Sequence, residues 1–367
     1  MDAKLSPDQG LNIINGIGLV SLLGASLGVS ALVLDGMANR LPWQGVSLTL
    51  PFLFCALASA AVGFWVVPLL QALKTGQIIR EDGPQAHLKK AGTPTMGGIF
   101  FVPVAVITAC VWSGFTTEVL AVSALTLSYG LIGWIDDWQI LRRKSNKGIS
   151  PRTKLALQIG FAATFCLWLI FTQPFDITNI ALPLGFSLPL GLLFWPLAGF
   201  VLVAESNATN LTDGIDGLAA GTVAIALLTL GALSAPSSPG LMVFCACMSG
   251  SCLGFLAHNR NPARVFMGDT GSLALGGALA AVGLLTNSLV ALFILSGIFF
   301  VETLSVMAQV SYYKATKGPD GKGKRLFKMA PLHHHLELSG WSELHVVAFF
   351  YIVGAILAVV SLTIGRF

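Results

Sequence analysis

Asp136 and Asp137 stand side by side in "IGWIDDWQILRRKSNKG", at the end of an uncharged run and ahead of Arg142, Arg143, Lys144 and Lys147. Further acids recur in short polar segments: Asp213 and Asp216 in "NATNLTDGIDGL", and Asp269 in "HNRNPARVFMGDTGS". His333, His334 and His335 are consecutive in "MAPLHHHLELSGW", and Lys89 and Lys90 precede the Gly-containing "AGTPTMGG". Carboxylates hold hard divalent cations, while lysines and Gly-rich turns receive phosphate oxygens. Together these residues suit an anionic substrate handled with a divalent metal.

The elements that carry them belong to lipid. The 367 residues are 54% hydrophobic and 10% charged, with a mean hydropathy of +0.78. That composition leaves no room for a sizeable soluble domain. Apolar runs near 17–34, 47–73, 96–112, 118–135, 155–172, 191–205, 218–234, 241–257, 271–286, 289–312 and 345–365 predict about eleven spans. The runs are continuously apolar, not alternating, so an all-α polytopic protein is expected instead of a β-barrel. The Pro-containing stretch 173–190 reads as a loop. "MDAKLSPDQGLN" carries one cation against two acids and no clear cleavage pattern, so the first run is expected to remain a membrane helix and not a signal peptide.

With these spans, all of the 21 Lys and Arg except Arg40 and Arg366 fall on one side. The positive-inside rule makes that side cytoplasmic. The candidate acids and five of the six histidines fall there too, with His345 opening the last span. No nucleic-acid partner is expected. The six cysteines all lie within apolar runs, without metal or redox spacing, and read as packing residues.

Each motif also has a plainer reading. Asp213, Asp216 and Asp269 each stand just before a predicted helix, where a carboxylate caps free N–H groups. The histidine run could be a solvated surface, and the cations at 142–154 could serve only topology and lipid attraction. Asp136 and Asp137 resist such a reading. They are expected at the C-terminal end of their helix, where the dipole disfavours negative charge, so a metal or cation must offset them.

"GPQAHLKKAGTPTMGG", "DDWQ", "NLTDGIDGL", "FMGDTGSL" and "PLHHHLELSGW" occur in order and closely resemble the phospho-N-acetylmuramoyl-pentapeptide transferase family. That family's fold has ten transmembrane helices. The resemblance therefore implies a transferase membrane domain over 47–367 and an N-terminal extension over 1–46 with one added helix. It further implies transfer of phospho-N-acetylmuramoyl-pentapeptide from its UDP carrier to undecaprenyl phosphate in the bacterial inner membrane, giving lipid I and UMP with magnesium as cofactor, and suggests a homodimer. By the same resemblance Asp136, Asp137, Asp269 and His333 are catalytic, and Asp269 is the magnesium ligand. Lys90, Thr95, Asn210, Asp213, Asp216, Asn259, Phe266, Gln309, His334 and His335 match substrate-binding positions. A lysine that the family often places four positions after the second aspartate is Leu141 here, so Lys144 becomes the expected phosphate contact.

Three competitors are set against this reading, of which a structural scaffold without activity would leave the one-sided polar cluster unexplained. Another sugar-1-phosphate transferase of the superfamily would share most motifs. A cation-coupled transporter would hold its acids mid-span, where only Glu205 and Glu302 lie.

Overall fold

In the computed structural model every one of these apolar runs is helical, because a chain in hydrocarbon must satisfy its own backbone. The structure describes residues 15–43, 46–73, 90, 92–143, 145 and 148–364. In chain order the long helices are α1 (Gly16–Met37), α2 (Thr49–Ala72), α3 (Gly98–Trp112), α4 (Thr117–Arg143), α5 (Pro151–Thr172), α6 (Phe194–Thr212), α7 (Leu218–Ser234), α8 (Pro239–Asn259) and α9 (Gly268–Leu285). After them come α10 (Leu289–Leu295), α11 (Gly297–Ala315), α12 (Leu332–Leu338) and α13 (Glu343–Ile364). Among the described residues eight helices are long and apolar enough to cross a membrane, or nine if the α10–α11 pair counts as one span. The protein is an all-α, multi-pass membrane protein.

Helices α8 and α9 form the centre. α8 packs mainly on α2, α7 and α3, and α9 on α4 and α6. Outer helices turn large apolar residues such as Trp65 and Phe171 outward, as a lipid solvent requires. Close approach of α4 to α9 depends on Gly133, where a Cβ would lie 2.1 Å from the Asp269 carbonyl oxygen.

The structure corrects the sequence reading in three places. The run at 289–312 is not one helix: it breaks between α10 and α11 with a 65° bend. The buried Ser296 at that break donates its hydroxyl to Glu205 Oε1 at 2.7 Å. The stretch 173–190 contains a small antiparallel hairpin, β1 (Asn179–Ala181) and β2 (Ser187–Pro189), with Ile180 opposite Leu188. Finally, α4 does not end at the paired aspartates but continues to Arg143, because "WQILRR" favours helix and places cations at the C-terminal end.

Asp35, near the end of α1, is completely buried. Its carboxylate accepts the N–H groups of Leu48 and Thr49, the Thr49 hydroxyl and Arg40 Nε. It thereby caps the start of α2 and ties α1 to the bundle. Asp35→Ala would leave Arg40 and those buried donors without their anion, so a stability loss of roughly 3 kcal/mol or more is expected. Thermal unfolding in detergent checks this. An unchanged midpoint would show that α1 is held by apolar packing alone.

Candidate active site

The two adjacent aspartates of α4 have different environments. Asp137 is 5% exposed and points at the N-terminus of α9. Its Oδ2 accepts the Thr270 N–H at 3.0 Å and the Thr270 hydroxyl at 2.6 Å, and its Oδ1 accepts the Asp269 N–H at 3.2 Å. Asp137 is therefore the cap of α9, supplied by another helix, and the positive end of α9 offsets its charge. Gly268 permits this approach. Its φ of +72° suits glycine, and a Cβ there would lie 2.5 Å from Asp137 Oδ2 and 2.8 Å from Thr95 Oγ1.

Asp136 faces the other way. Its Oδ1 accepts the Ile149 N–H at 2.7 Å, and its carboxyl is within hydrogen-bonding reach of Asp269. The Asp269 carboxylate pairs with Lys154 Nζ and accepts Asn210 Nδ2 at 2.8 Å. Asn210 is in turn 2.8 Å from the Ser272 hydroxyl, which fixes its amide. Ser150 caps α5 and sets Lys154 one turn inside it.

Capping is thus not what Asp213, Asp216 and Asp269 do, contrary to the simplest expectation. Asp269 lies in the first turn of α9, whose N–H groups go to Asp137. Asp213 follows the last turn of α6. Its carboxyl is pushed up to about 8 by burial and by the nearby charges of Asp269, Asp137 and Asp216. A folded value above the ordinary 3.8 means that Asp213 favours the fold at low pH, and that this contribution falls away as pH rises toward 8. Without divalent ions, Asp213→Asn should match wild-type thermal stability near pH 4 and exceed it near pH 8. A difference independent of pH would contradict the assignment.

Asp216 belongs to a second cluster. Its Oδ1 lies 2.8 Å from Lys90 Nζ, and Glu343 Oε1 lies 2.5 Å from the same ammonium. Asn259 sits beneath this cluster, receiving the Gly217 N–H at 3.0 Å and donating to the Val265 carbonyl at 2.9 Å. Phe266 is fixed by its backbone, which bonds to Pro94 and Gly97.

The histidines form a third group. His333 is completely buried. Its Nδ1 lies 3.1 Å from Glu302 Oε2 on α11, while its Nε2 has no partner and is aimed at Gly214, where a Cβ would be 2.1 Å away. His334 Nδ1 lies 2.8 Å from Glu337, and His335 Nδ1 accepts the Lys328 N–H at 3.1 Å. Gln309 Oε1 accepts the N–H groups of Leu326 and Phe327, so its amide holds the segment before α12.

Asp136, Asp137, Asn210, Asp213, Asp269 and Thr95 are therefore brought together at the ends of α4, α6 and α9. Lys90 and Asp216 form the neighbouring cluster, and Gln309 and His335 bond to the segment 326–328 ahead of α12. Lys144, the expected phosphate contact, falls outside the described residues. Lys154 and Glu343 were not singled out by sequence reading, and Glu302 was noted only as an acid within a span. For Lys154 a signal existed: a cation in the first turn of a helix opposes the dipole, the mirror image of the argument made for Asp136 and Asp137.

No three His, Cys, Asp or Glu side chains converge as a ready-made metal cage among the described residues. The chemistry of the donor set nevertheless fits a hard divalent cation. Asp136 and Asp269 bring anionic oxygens together beside Lys154, and Asp213 is pushed up by burial and by the nearby negative charge of Asp269, Asp137 and Asp216.

Comparison with known proteins shows the chain's family. Residues 119–287 match Glycosyl transferase family 4, and residues 90–102 match the phospho-N-acetylmuramoyl-pentapeptide-transferase signature 1. The chain is 83% identical to the phospho-N-acetylmuramoyl-pentapeptide-transferase of Nostoc punctiforme over 363 residues, 99% of this chain and 100% of that protein. It is 84% identical to the protein of the same name from a Nostoc sp. over 366 residues, 100% of this chain and 99% of that protein. With the protein of that name from Rippkaea orientalis it shares 64% identity over 363 residues, 98% of this chain and 99% of that protein. Alignments of that length include α1. By this identity over its whole length, and by the signature beside Lys90, the chain belongs to the phospho-N-acetylmuramoyl-pentapeptide-transferase family and is a transferase.

Proposed function

We propose that this enzyme transfers phospho-N-acetylmuramoyl-pentapeptide from UDP to undecaprenyl phosphate, releasing UMP and forming lipid I. The reaction takes place at the cytoplasmic face of the bacterial inner membrane and uses magnesium. The observation that carries the proposal is the pairing of Asp136 and Asp269 beside Lys154, with Asp213 close to Asp269, on the side where the sequence places most of the chain's cations. A water-soluble diphosphate and a bilayer-bound phosphate can meet only at such a surface, and family membership supports these two substrates.

Asp269, with Asp136, would hold the magnesium ion, which when bound supplies positive charge against the diphosphate and the leaving UMP. The rest is the work of the chain. Lys154 is the cation that the site itself offers to phosphate oxygens, aimed by Asp269. Asn210 fixes the other Asp269 oxygen. Asp137, with its oxygens accepting three donors of α9, positions that helix. Asp136 has one backbone partner and is the carboxylate left to orient the lipid phosphate or accept its proton. That phosphate has a second pKa of about 6, so near neutrality it is already largely a dianion that attacks directly. His333 acts on the loop carrying Asp213 through its contact with Gly214, held there by Glu302.

The test offers purified protein undecaprenyl phosphate with either UDP-N-acetylmuramoyl-pentapeptide or UDP-N-acetylglucosamine and measures UMP. Magnesium-dependent release with the first donor is expected. Release with the second alone would move the enzyme to another branch of the superfamily.

A further inference from the structure

Glu343, the first residue of α13, ties together polar segments that are distant in sequence. Its Oε1 receives the Asp216 N–H at 2.8 Å and Lys90 Nζ at 2.5 Å, and its Oε2 receives Asn261 Nδ2 at 2.8 Å. Asp216 closes the ring: Oδ1 meets Lys90, and Oδ2 accepts the Ala263 N–H at 3.0 Å and Asn261 Nδ2 at 3.3 Å. Two turns along α13, the Tyr351 hydroxyl donates to the Gly217 carbonyl at 2.7 Å. One helix thus grips the 216–217 turn at both its N–H and its carbonyl.

The charge balance gives this grip a purpose. Lys90 stands between two carboxylates. Burial lowers its pKa, Glu343 and Asp216 raise it by more, and the net shift is upward. Its ammonium is therefore fixed as a cation in one place, whereas a lysine with a single anion would swing on its flexible stem. The α13 N-terminus also favours the Glu343 carboxylate. Removing that carboxylate frees Lys90 on one side and leaves the Asp216 N–H without its acceptor.

We propose that Glu343 is a positioning residue for the UDP-linked donor: acting through Lys90 and Asp216, it sets the donor side of the site and leaves the acceptor side, Asp136, Asp269 and Lys154, unaffected. This rests on the function proposed above, and on Asp216 matching a nucleoside and phosphate pocket and Lys90 a position facing the substrate, as the family resemblance implies. Nothing in that resemblance assigns a role to Glu343.

Glu343→Gln keeps the shape and an acceptor for the Asp216 N–H but removes the charge. It should raise KM for UDP-N-acetylmuramoyl-pentapeptide about tenfold, the effect of losing one charge-assisted hydrogen bond. KM for undecaprenyl phosphate and kcat should stay within about twofold, the split expected for lost uniform binding of one substrate. UMP affinity, read by calorimetry without turnover, should fall in parallel with donor affinity. In a Lys90→Gln background the Glu343→Gln change should add little, because the two act as one unit. If Glu343→Gln does not fold, Asn261→Ala, which removes the Oε2 partner and keeps the charge, should show the same split at smaller size. Equal rises in both KM values, unchanged donor and UMP affinity, or additivity with Lys90→Gln would overturn the role. A wild-type protein that binds no UDP donor would overturn the proposed reaction itself; a normal wild type with an indistinguishable Glu343→Gln would overturn only the inference.

Discussion

Asp269→Asn lowers turnover by roughly a hundredfold or more, the loss expected when an anionic metal ligand becomes neutral. The Asp269 side chain faces Lys154 on one side and Asp136 on the other, with Asn210 donating to it. An amide in that place removes the charge that aims Lys154 and can turn an N–H₂ against a cation. Its backbone N–H still donates to Asp137, so the start of α9 keeps its cap. Thermal stability therefore stays close to wild type while activity and magnesium response collapse. Near-normal turnover with an unaltered magnesium titration would show that Asp269 serves only the local structure.

The second large effect separates two neighbours that look alike in sequence. In Asp136→Asn the amide oxygen still accepts the Ile149 N–H, so the fold survives and turnover drops by about a hundredfold or more, within the usual range for losing a general base. Asp137→Asn behaves differently. It keeps its acceptor oxygen for part of the α9 terminus but loses the charge that faces the dipole, so stability falls by about 1–2 kcal/mol along with activity. Unfolding midpoints and kcat, measured on both variants, decide the matter. A stable, inactive Asp137→Asn beside an unstable Asp136→Asn would reverse the roles.

Helix positions were legible because lipid imposes the same demand on every span, and hydropathy reports it directly. Helix ends were less so. Hydropathy stops at Asp136 because lipid stops near there, whereas the backbone remains helical to Arg143. That error made Asp136 and Asp137 seem to lie on an unfavourable helix end, and a metal or cation seemed obligatory. For Asp137 the compensating charge is the N-terminus of α9, 132 residues away in sequence, a pairing that no local pattern discloses. Partners far off in sequence likewise hid Lys154 behind the more conspicuous Lys144, and Glu343 behind the apolar helix that it begins. Glu302 and Glu205 looked anomalous as mid-span acids, and each is bonded to a residue brought close by folding, His333 and Ser296. The candidate acids themselves were legible because charge is rare in this chain, so each one that remains stands out.

In the proposed reaction the lipid phosphate attacks the donor directly at Asp136, Asp269 and Lys154, with no covalent enzyme intermediate. Exchange of labelled UMP into UDP-N-acetylmuramoyl-pentapeptide, catalysed by delipidated enzyme whose depletion is checked by mass spectrometry, tests this most directly. Direct attack gives no exchange until undecaprenyl phosphate is added. Robust lipid-free exchange that disappears in Asp136→Asn or Asp137→Asn would contradict it.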